Sequence, residues 1–256
     1  ALHLRDRYMT IQSATELEGM RAIGRLVAEA LAVMEGAVKP GVTTAQLDDV
    51  ARVFLEAKGA RSAPQLTYGF PGFTCISVNE EIVHGVPGAR VLHEGDLVTL
   101  DVTAELKGFM ADAARTVALP GASREAQELV ASAERAYDAG VKAARPGTRV
   151  RAIGRAIEQS VKHDGFSVMR ELCGHGIGRV LHEEPTVPNF DDPAANSQLH
   201  QGLVLAVEPL VSMRPARIFD EADGWTIRTH NRAWSAHHEN TIVVMDGEPI
   251  VLTVAD

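Results

Sequence analysis

Alternating apolar and polar positions in the middle of the chain predict a β-hairpin between Gly95 and Val117. Every second residue of its first half is apolar, and a turn is predicted around Glu105–Gly108. Each predicted strand carries one aspartate, Asp101 and Asp112. If the turn uses an even number of residues, the pleat places both carboxylates on the same face. Two half-buried carboxylates this close repel each other unless a cation lies between them, whereas a solvated face carrying two unrelated acids needs no cation.

Apolar residues at helical spacing predict four helices, arranged along the chain as two pairs. The spacing Ser13-x-x-Glu16 is that of a capping box, and it predicts the start of the first helix. A loop is predicted at Arg61–Gly72, after the first pair, and a late strand is predicted at about Trp234–Met245. The predicted helices run from Ser13 to about Glu35, over about Ala45–Lys58, over about Ser123–Ala144 and over about Arg149–His163.

The second half of the chain repeats the organisation of the first half. The helix-breaking pairs Pro40-Gly41 and Pro146-Gly147 lie 106 residues apart (146 − 40). Asp101 and Glu208 each lie six residues after a glycine, at the end of an apolar run. We therefore predict two helix–helix–strand halves, related by approximate symmetry, each of which supplies acids at equivalent places.

Size, charge and cysteine content bound the class of protein. With 256 residues and 45% hydrophobic content, the chain is expected to form one domain, residues 1–256, of which about the first 12 lead into the first helix. The net charge of −9 argues against a nucleic-acid partner. Neither a membrane-length apolar run nor a signal-peptide core is present, so we expect a cytoplasmic protein without a membrane partner. Cys75 and Cys173 are expected to be reduced thiols.

Four carboxylates and one imidazole form the candidate metal-binding set: Asp101, Asp112, His175, Glu208 and Glu239. An oxygen-rich set of this kind suits divalent ions such as Co, Mn, Fe or Zn. Two dications with a bridging hydroxide nearly neutralise four carboxylates, whereas one dication leaves a large negative charge, so the set predicts two ions. The chain carries no nucleophile-elbow serine motif and no HExxH helix that would indicate another hydrolytic route.

Five motifs occur in an order that is typical of one enzyme family. They are Asn79-Glu-Glu-Ile-Val-His84-Gly-Val-Pro-Gly, the Asp101/Asp112 pair, Cys173-Gly-His-Gly-Ile-Gly-Arg-x-x-His182-Glu-Glu-Pro, Val207-Glu208-Pro209 and Glu239-x-Thr-Ile. On these motifs the chain, from about Ile11 to Val251, resembles type I methionine aminopeptidases. The resemblance implies the pita-bread fold, α/β (α+β) in class, with two pseudo-symmetric helix–helix–strand halves around a central antiparallel sheet. It also implies hydrolytic removal of the initiator methionine from nascent proteins and peptides whose second residue is small.

The resemblance further implies roles for individual side chains. By that resemblance, two divalent ions are held by Asp101, Asp112, His175, Glu208 and Glu239. Glu208 would also manage the proton of the attacking water, His182 would stabilise the tetrahedral intermediate, and His84 would contact the substrate amine or amide. The residues at positions that line the family's methionine pocket are Phe70, Cys75 and Trp225, and ordinary core packing explains each of these three equally well.

Several positions depart from the family pattern, and none of the departures removes an implied metal ligand. They bear on the affinity of the more exposed metal position and on the tightness of the methionine pocket. A further hypothesis is that His237 or His238, which stand where the family usually has glutamine and an aromatic residue, adds a ligand. The departing positions are Thr67, Ala111, Ala113, Leu181, His237, His238 and Asn240.

Two alternative functions stay open at this stage. A pita-bread peptidase specific for X-Pro substrates shares the fold, although such enzymes usually carry an additional N-terminal domain for which this chain has no room. A non-catalytic relative that binds a partner typically lacks metal ligands, and all five are present here. For the favoured function we expect a monomer whose partners are nascent polypeptide N-termini, and transient association with the ribosome is compatible with that expectation.

Overall fold

The computed structural model describes residues 8–255, and within that range it contains five helices and fifteen short strands. The helices are α1 (Ala14–Ala37), α2 (Thr44–Ala57), α3 (Ala63–Tyr68), α4 (Arg124–Ala143) and α5 (Arg151–His163). The first eight strands are β1 (Arg61–Ser62), β2 (Cys75–Val78), β3 (Glu81–Val83), β4 (Leu97–Leu106), β5 (Phe109–Ala118), β6 (Ser167–Val168), β7 (Cys173–Gly176) and β8 (Glu183–Pro188). The remaining strands are β9 (Val204–Val207), β10 (Leu210–Ser212), β11 (Ile218–Asp220), β12 (Ile227–Thr229), β13 (Ser235–His237), β14 (Asn240–Val243) and β15 (Ile250–Val251).

These strands form four sheets, and every pairing between them is antiparallel. In the first sheet, β1 and β2 pair with β4, and β5 also pairs with β4. The second sheet has the order β15-β14-β9-β7-β8. The two three-stranded sheets have the orders β13-β10-β6 and β11-β12-β3. The predicted antiparallel character is therefore confirmed, with β4 and β9 as the central strands of the two halves.

The predicted hairpin is confirmed, with a turn of two residues. Lys107 and Gly108 form the turn, and their φ angles of +52° and +85° are those of a type I′ turn. In the resulting register Thr103 lies opposite Asp112, and Asp101 lies one residue pair further along on the same face. The prediction that both carboxylates emerge on one face is therefore confirmed.

Side-chain caps begin the first pair of helices at the predicted places. The Ser13 hydroxyl accepts a hydrogen bond from the backbone N–H of Glu16 and so begins α1. The Glu16 carboxylate reaches back to the N–H of Gln12 rather than to that of Ser13, so the capping box is displaced by one residue. At α2 the box is complete, because Thr43 and Gln46 each accept from the other's backbone N–H.

Each pair of helices covers the strands of its own half. The first core places Met34 of α1 and Leu47 of α2 against Leu100 of β4. The second core places Leu129 of α4 and Ile153 of α5 among β9 side chains such as Leu205. All of these side chains are almost completely buried. The sheets thus lie beneath the helices, with the acids between the two cores.

Matching hydrogen bonds support the predicted internal symmetry. The N–H of Gly41 donates to the carbonyl of Leu92 at 2.8 Å, and the N–H of Gly147 donates to the carbonyl of Leu199 at 2.8 Å. Gly95 and Gly202, which precede the two acid-bearing strands, share a φ of +86°. Because glycine adopts this left-handed conformation without strain, both halves turn into their central strands in the same way.

The segment Arg61–Gly72 was expected to be a loop, and that prediction is wrong. It contains β1 and the short helix α3. Ser62 caps α3 by accepting a hydrogen bond from the N–H of Gln65, and Gly69 ends it in a left-handed conformation with φ +69°. A helix this short carries too few periodic residues to be distinguished from a loop by its apolar pattern.

The late strand predicted at Trp234–Met245 is two strands in different sheets. β13 pairs with β10, whereas β14 pairs with β9 and β15. The break falls at His238 and Glu239. A run of residues with strand propensity does not reveal which neighbour each part will pair with, because pairing is decided by tertiary contacts.

The chain's first described residues are tied to the second half. The N–H of Ile11 donates to the carbonyl of Gly202, and the carbonyl of Met9 accepts from the N–H of Val204. Residues 1–7 of the predicted lead-in segment, and residue 256, lie outside the described residues, so the single-domain prediction for 1–256 stays a prediction. Among the helices of residues 8–255, none is both long and apolar enough to cross a membrane.

A glycine in α5 provides a test of this packing. A Cβ atom at Gly154 would lie 2.2 Å from the carbonyl oxygen of Phe190, so Gly154→Ala should lower the free energy of unfolding by about 1–3 kcal/mol or more. Gly36 in α1 is the matched control, because a Cβ there meets nothing within 4 Å and alanine favours the helix by up to about 1 kcal/mol. Urea unfolding at matched metal content gives the unfolding midpoint of each variant. Equal midpoints for Gly154→Ala and Gly36→Ala would contradict the close packing at Gly154.

Candidate metal centre and cavity

Strand pairing brings the five predicted metal-binding residues to one place. Asp101 lies in β4 and Asp112 in β5, on the same face of the hairpin. His175 lies in β7, and Glu208 directly follows β9. Glu239 lies in the gap between β13 and β14. The two halves of the chain therefore meet at this cluster.

Short distances join the imidazole of His175 to two of the acids. Its Nε2 atom lies 3.3 Å from Oε1 of Glu208 and 3.8 Å from Oδ2 of Asp112. The ligating atoms of Asp112, His175 and Glu239 all lie within 4.8 Å of one another. One imidazole nitrogen and several carboxylate oxygens thus surround a space of the size that a single ion needs.

A second group of ligating atoms lies beside the first. It consists of one atom each from Asp101, His237 and Glu239, again within 4.8 Å of one another, and Glu239 is shared with the first group. Oδ1 of Asp112 and Oε1 of Glu239 are buried and accept no hydrogen bond from any described residue. Buried carboxylate oxygens without donors are costly unless a cation satisfies them. These residues therefore fit two divalent ions.

Burial raises the pKa values of these acids in the metal-free chain. Loss of solvation raises the pKa of Asp112 to about 6. Burial raises the pKa values of Asp101, Glu208 and Glu239 well above the ordinary carboxyl range, and the neighbouring carboxylates raise them further. For His175 the same loss of solvation lowers the pKa to about 3, so its imidazole is neutral and able to act as a ligand.

The backbone around His175 sets the direction of its ring. Nδ1 lies 2.8 Å from the carbonyl oxygen of Gly176, and an N–H donated there leaves the lone pair of Nε2 facing the acids. The flanking glycines allow close backbone approach. A Cβ at Gly174 would lie 2.4 Å from the carbonyl oxygen of Ala206, and one at Gly176 would lie 2.1 Å from that of Glu184.

Segment 237–241 is held antiparallel to β5 by hydrogen bonds that do not involve the carboxylates. The backbone groups of Ala114 and Glu239 exchange two hydrogen bonds, of 3.0 and 3.2 Å. The Thr241 hydroxyl accepts from the N–H of Asp112 and donates to its carbonyl. The position of Glu239 is thus fixed through its backbone, and its carboxylate stays available for a ligand.

Arg115, which the sequence analysis did not single out, strengthens the same connection. Its guanidinium donates to the carbonyl of Glu239 at 2.6 Å and to the side-chain oxygen of Asn240 at 2.7 Å. Asn240 also accepts from the Thr253 hydroxyl. Asn240, one of the positions that depart from the family pattern, therefore helps to hold Arg115 against the backbone of Glu239. Only the tertiary pairing of β5 with segment 237–241 reveals this contact.

A cavity of about 700 Å³ opens beside the acids. Glu239 is 1% exposed and lies beneath the cavity. Phe70 and Trp225 meet edge to face on the apolar side, with ring centres 5.2 Å apart. The predicted site residues that line the cavity are Phe70, Cys75, His84, Asp101, Asp112, His175, His182, Glu208 and Trp225.

His84 reaches the cavity from an unusual backbone conformation. It follows β3 with a φ of +57°, a value that non-glycine residues rarely adopt and that is often found at functional sites. Its neighbour Gly85 packs so closely that a Cβ there would lie 2.1 Å from the carbonyl oxygen of Ile76. Partial loss of solvation and the proximity of His182 lower the pKa of His84. The ring is therefore neutral at ordinary pH.

His182 lies directly beside the metal-binding residues and has a tyrosine partner. Its ring centre is 4.4 Å from that of His175. The hydroxyl of Tyr68 hydrogen-bonds to Nδ1 of His182. When the hydroxyl donates this bond, the ring hydrogen is on Nε2 and can be donated to another group. Tyr68 was missed because its segment was assigned to a loop; the available signal was an aromatic residue next to Thr67, where the family has an aromatic.

The two histidines before Glu239 face opposite ways. In an extended segment alternate side chains share a face, so His237 lies on the side of Glu239. The His238 ring instead packs against Tyr137, with ring centres 5.0 Å apart. Burial lowers the pKa of each imidazole to about 3. The spacing of two residues between His237 and Glu239 was the sequence signal that distinguishes them.

Of the remaining departures from the family pattern, Thr67 is exposed and the other three are core residues. Ala111 and Ala113 belong to the first core, and Leu181 packs in a smaller cluster with Met9. Leu181 also lines the cavity.

Comparison with known proteins agrees with this geometry. The family model described as metallopeptidase family M24 matches residues 18–246. A methionine aminopeptidase from Clostridium perfringens is 40% identical over 244 residues, 95% of this chain and 98% of the relative. Methionine aminopeptidase 2 of Bacillus subtilis is 41% identical over 247 residues, 96% of this chain and 99% of the relative. The resemblance read from the motifs is therefore confirmed.

Solved structures confirm the fold. The methionine aminopeptidase of Thermotoga maritima superimposes with a TM-score of 0.93 at 34% identity, covering 96% of this chain and 99% of that one. The prolidase of Pyrococcus furiosus matches with a TM-score of 0.79 at 18% identity, and 66% of that chain is covered. The second likeness concerns the fold alone. The predicted pita-bread fold is thus confirmed.

The raised carboxyl pKa values predict how the metal-free protein responds to pH. Above the ordinary carboxyl pKa, Asp101, Glu208 and Glu239 lose their protons in the unfolded chain but keep them in the folded chain. The folded chain therefore loses stability as the pH rises toward the raised pKa values of these groups. His175 and His237, whose folded pKa values are about 3, make stability rise with pH, but only below the ordinary histidine pKa of 6.5. Above the ordinary histidine pKa of about 6.5, thermal unfolding with chelator should therefore show a midpoint that falls as the pH rises.

Glu239→Gln is the control for this prediction, because it removes one buried charge. Its midpoint should fall less steeply with pH than that of the unchanged chain, and added Mn²⁺ should flatten the trend in the unchanged chain. Equal slopes for both proteins without metal would contradict the proposed origin of the pH dependence.

Proposed function

The chain belongs to metallopeptidase family M24, and on that premise we propose that it is a metal-dependent aminopeptidase that removes N-terminal methionine. One observation carries the proposal. The cavity that the acids line is also lined by the edge-to-face rings of Phe70 and Trp225. Such a cavity accepts an apolar side chain while the adjacent peptide group lies at the acids.

Asp101, Asp112, His175, Glu208 and Glu239 would hold two divalent ions, in agreement with their unpaired oxygen atoms. When bound, such ions act as Lewis acids, which makes water nucleophilic near neutral pH and offsets the negative charge of the transition state. Which of Co, Mn, Fe or Zn serves in the cell depends on affinity and availability together.

We propose that Glu208 moves the proton of the attacking water. It lines the cavity beside the other acids. Its carboxylate can accept a proton from the water and return it to the leaving amine. The Oε1 atom faces His175 at 3.3 Å, which keeps the side chain at the acids.

His182 and His84 would serve the substrate's peptide group. The Nε2–H that the Tyr68 hydroxyl favours on His182 is suited to donate to the carbonyl oxygen of the scissile bond. His84 lines the same cavity as a neutral ring and would contact the substrate amine or amide. Both contacts orient the carbonyl carbon toward the acids.

The methionine side chain would lie against Phe70, Trp225 and Cys75. Aromatic edges make favourable contacts with a thioether, and the buried thiol adds a further polarizable surface. The cysteine is expected to remain protonated, because burial raises the pKa of Cys75 well above that of a free thiol. An apolar wall of this kind discriminates by size and shape rather than by charge.

Several wider expectations remain part of the proposal. The natural substrates would be nascent polypeptides whose second residue is small, processed in the cytoplasm by a monomer that associates transiently with the ribosome. The X-Pro alternative is supported only by the shared fold of prolidases at 18% identity. The non-catalytic alternative lacks support, because all five candidate ligands are present.

The proposal is tested by release of the first residue from Met-Ala-Ser, Leu-Ala-Ser and Pro-Ala-Ser. Metal-stripped protein is titrated in turn with Mn²⁺, Co²⁺, Fe²⁺ and Zn²⁺. We expect metal-dependent release of methionine with little release of leucine or proline. The Glu208→Gln variant should fold but lose about 10²–10⁴-fold in kcat. Proline release would indicate the X-Pro alternative, and silence of the folded, metal-loaded chain would contradict enzyme function.

A second prediction concerns the tyrosine partner of His182. Tyr68→Phe removes the hydroxyl that favours the Nε2–H form, so kcat for Met-Ala-Ser should fall by about 10-fold, with little change in metal affinity. Thr67→Ala is the adjacent control and should change neither quantity. If Tyr68→Phe retained full kcat across the pH range, the hydroxyl would have no positioning role.

A further inference from the structure

His237 is a buried residue whose backbone groups are hydrogen-bonded and whose ring nitrogens are not. It lies at the end of β13 and is 1% exposed. Its N–H donates to the Thr116 hydroxyl at 2.8 Å, and its carbonyl accepts from the same hydroxyl at 3.1 Å. Neither ring nitrogen forms a hydrogen bond with any described residue. A histidine that served only packing would normally satisfy at least one of these nitrogens.

The unsatisfied nitrogen points at two carboxylates. Nε2 of His237 lies 3.3 Å from Oε2 of Glu208 and 3.6 Å from Oε2 of Glu239. Charge-assisted hydrogen bonds are shorter, at about 2.7–2.9 Å. Ligand atoms that share one ion at bond lengths of about 2.0–2.2 Å are instead separated by about 3.0–3.5 Å. The 3.3 Å separation lies within the range expected around a metal ion, and the 3.6 Å separation lies just above it.

The two oxygen atoms of the Glu208 carboxylate face two different imidazoles. Its Oε1 atom faces His175 at 3.3 Å, and its Oε2 atom faces His237 at the same distance. One group of ligating atoms joins Asp112, His175 and Glu239, and the other joins Asp101, His237 and Glu239. Each group therefore contains one aspartate, one imidazole and the shared glutamate.

We propose that His237 is a nitrogen ligand of the metal position on the Asp101 side, so that this chain binds its two ions with six residues. The proposal rests on the metal-dependent function proposed above. The resemblance implies five ligands, of which only His175 is an imidazole, and at position 237 this chain carries histidine where the family usually has glutamine.

A second imidazole changes which ions are preferred. Nitrogen ligands favour Co²⁺ and Zn²⁺ over Mn²⁺, which prefers oxygen. The Asp101-side position should therefore bind Co²⁺ more tightly than a position with oxygen ligands alone. It should also contribute a Co²⁺ absorption spectrum that reflects nitrogen coordination.

The adjacent histidine supplies a matched control. His238 has the same side chain one residue away, but its ring packs on Tyr137 and faces away from the acids. His237→Gln installs the residue usual in the family, whereas His238→Gln makes the same chemical change outside the cluster. The full-length chain is used for both variants, and circular dichroism with thermal unfolding establishes that each folds.

Titration of metal-stripped protein with Co²⁺ tests the proposal by affinity and by visible absorption. We expect His237→Gln to weaken binding of one Co²⁺ equivalent by about 10–100-fold and to alter its spectrum, while Mn²⁺ affinity changes less. His238→Gln should behave as the unchanged chain does. If His237→Gln bound both Co²⁺ equivalents with unchanged affinity and spectrum, the proposal would be overturned.

A measurement on the unchanged chain covers the case in which the variant fails to fold. In NMR spectra of protein labelled with ¹⁵N-histidine, two equivalents of Zn²⁺ should shift the ring-nitrogen signals of two histidines to the values of coordinated imidazole. The His238→Gln variant should retain both of these shifted signals. A coordinated signal from only one imidazole would overturn the proposal.

Peptide hydrolysis separates this proposal from the proposed function. Methionine release by a chain with one coordinated imidazole would support the function and overturn the six-residue site. Two coordinated imidazoles in a chain that releases no methionine would support the six-residue site and contradict the function.

Discussion

Four buried carboxylates that repel one another dominate the electrostatics of this chain. Burial raises the pKa values of Asp101, Asp112, Glu208 and Glu239, and repulsion from neighbouring carboxylates raises those of Asp101, Glu208 and Glu239 further. A folded chain tolerates such a cluster only when cations or protons offset the charge. Strands β4, β5 and β7, together with the residues that follow β9 and β13, bring these acids and His175 to one place.

The scaffold holds these groups through contacts that leave the carboxylates free. Thr241 binds the backbone of Asp112, and Arg115 binds the carbonyl of Glu239. These contacts lie behind the cluster, between β5 and segment 237–241. Since they are made to backbone groups and not to carboxylate oxygens, they resist the repulsion between the acids and supply no hydrogen-bond donor to the carboxylates. The charge therefore remains available to bind divalent ions.

The same fold supports different peptidases, so specificity must lie in the cavity walls. Prolidases share this fold at 18% identity. In this chain the cavity combines the edge-to-face rings of Phe70 and Trp225 with the neutral imidazoles of His84 and His182. The aromatic wall suits an apolar side chain, and the imidazoles suit a peptide group. Both features depend on loops and strand ends that differ more readily than the paired strands.

Local rules in the sequence determined the elements and the candidate ligands. The period of two along Gly95–Val117 placed Asp101 and Asp112 on one face, and Ser13 located the start of α1. The motifs also identified the family. These features depend on neighbours in the chain, so they can be recognised without knowing the tertiary structure.

Only the tertiary structure decided which side chains share the site. Tyr68 reaches His182 across 114 residues, and Arg115 reaches Glu239 across 124 residues. The tertiary structure also placed Tyr137 against His238 and the acids against His237. Such pairings are decided by the packing of distant strands, whose energies are not encoded in any short segment.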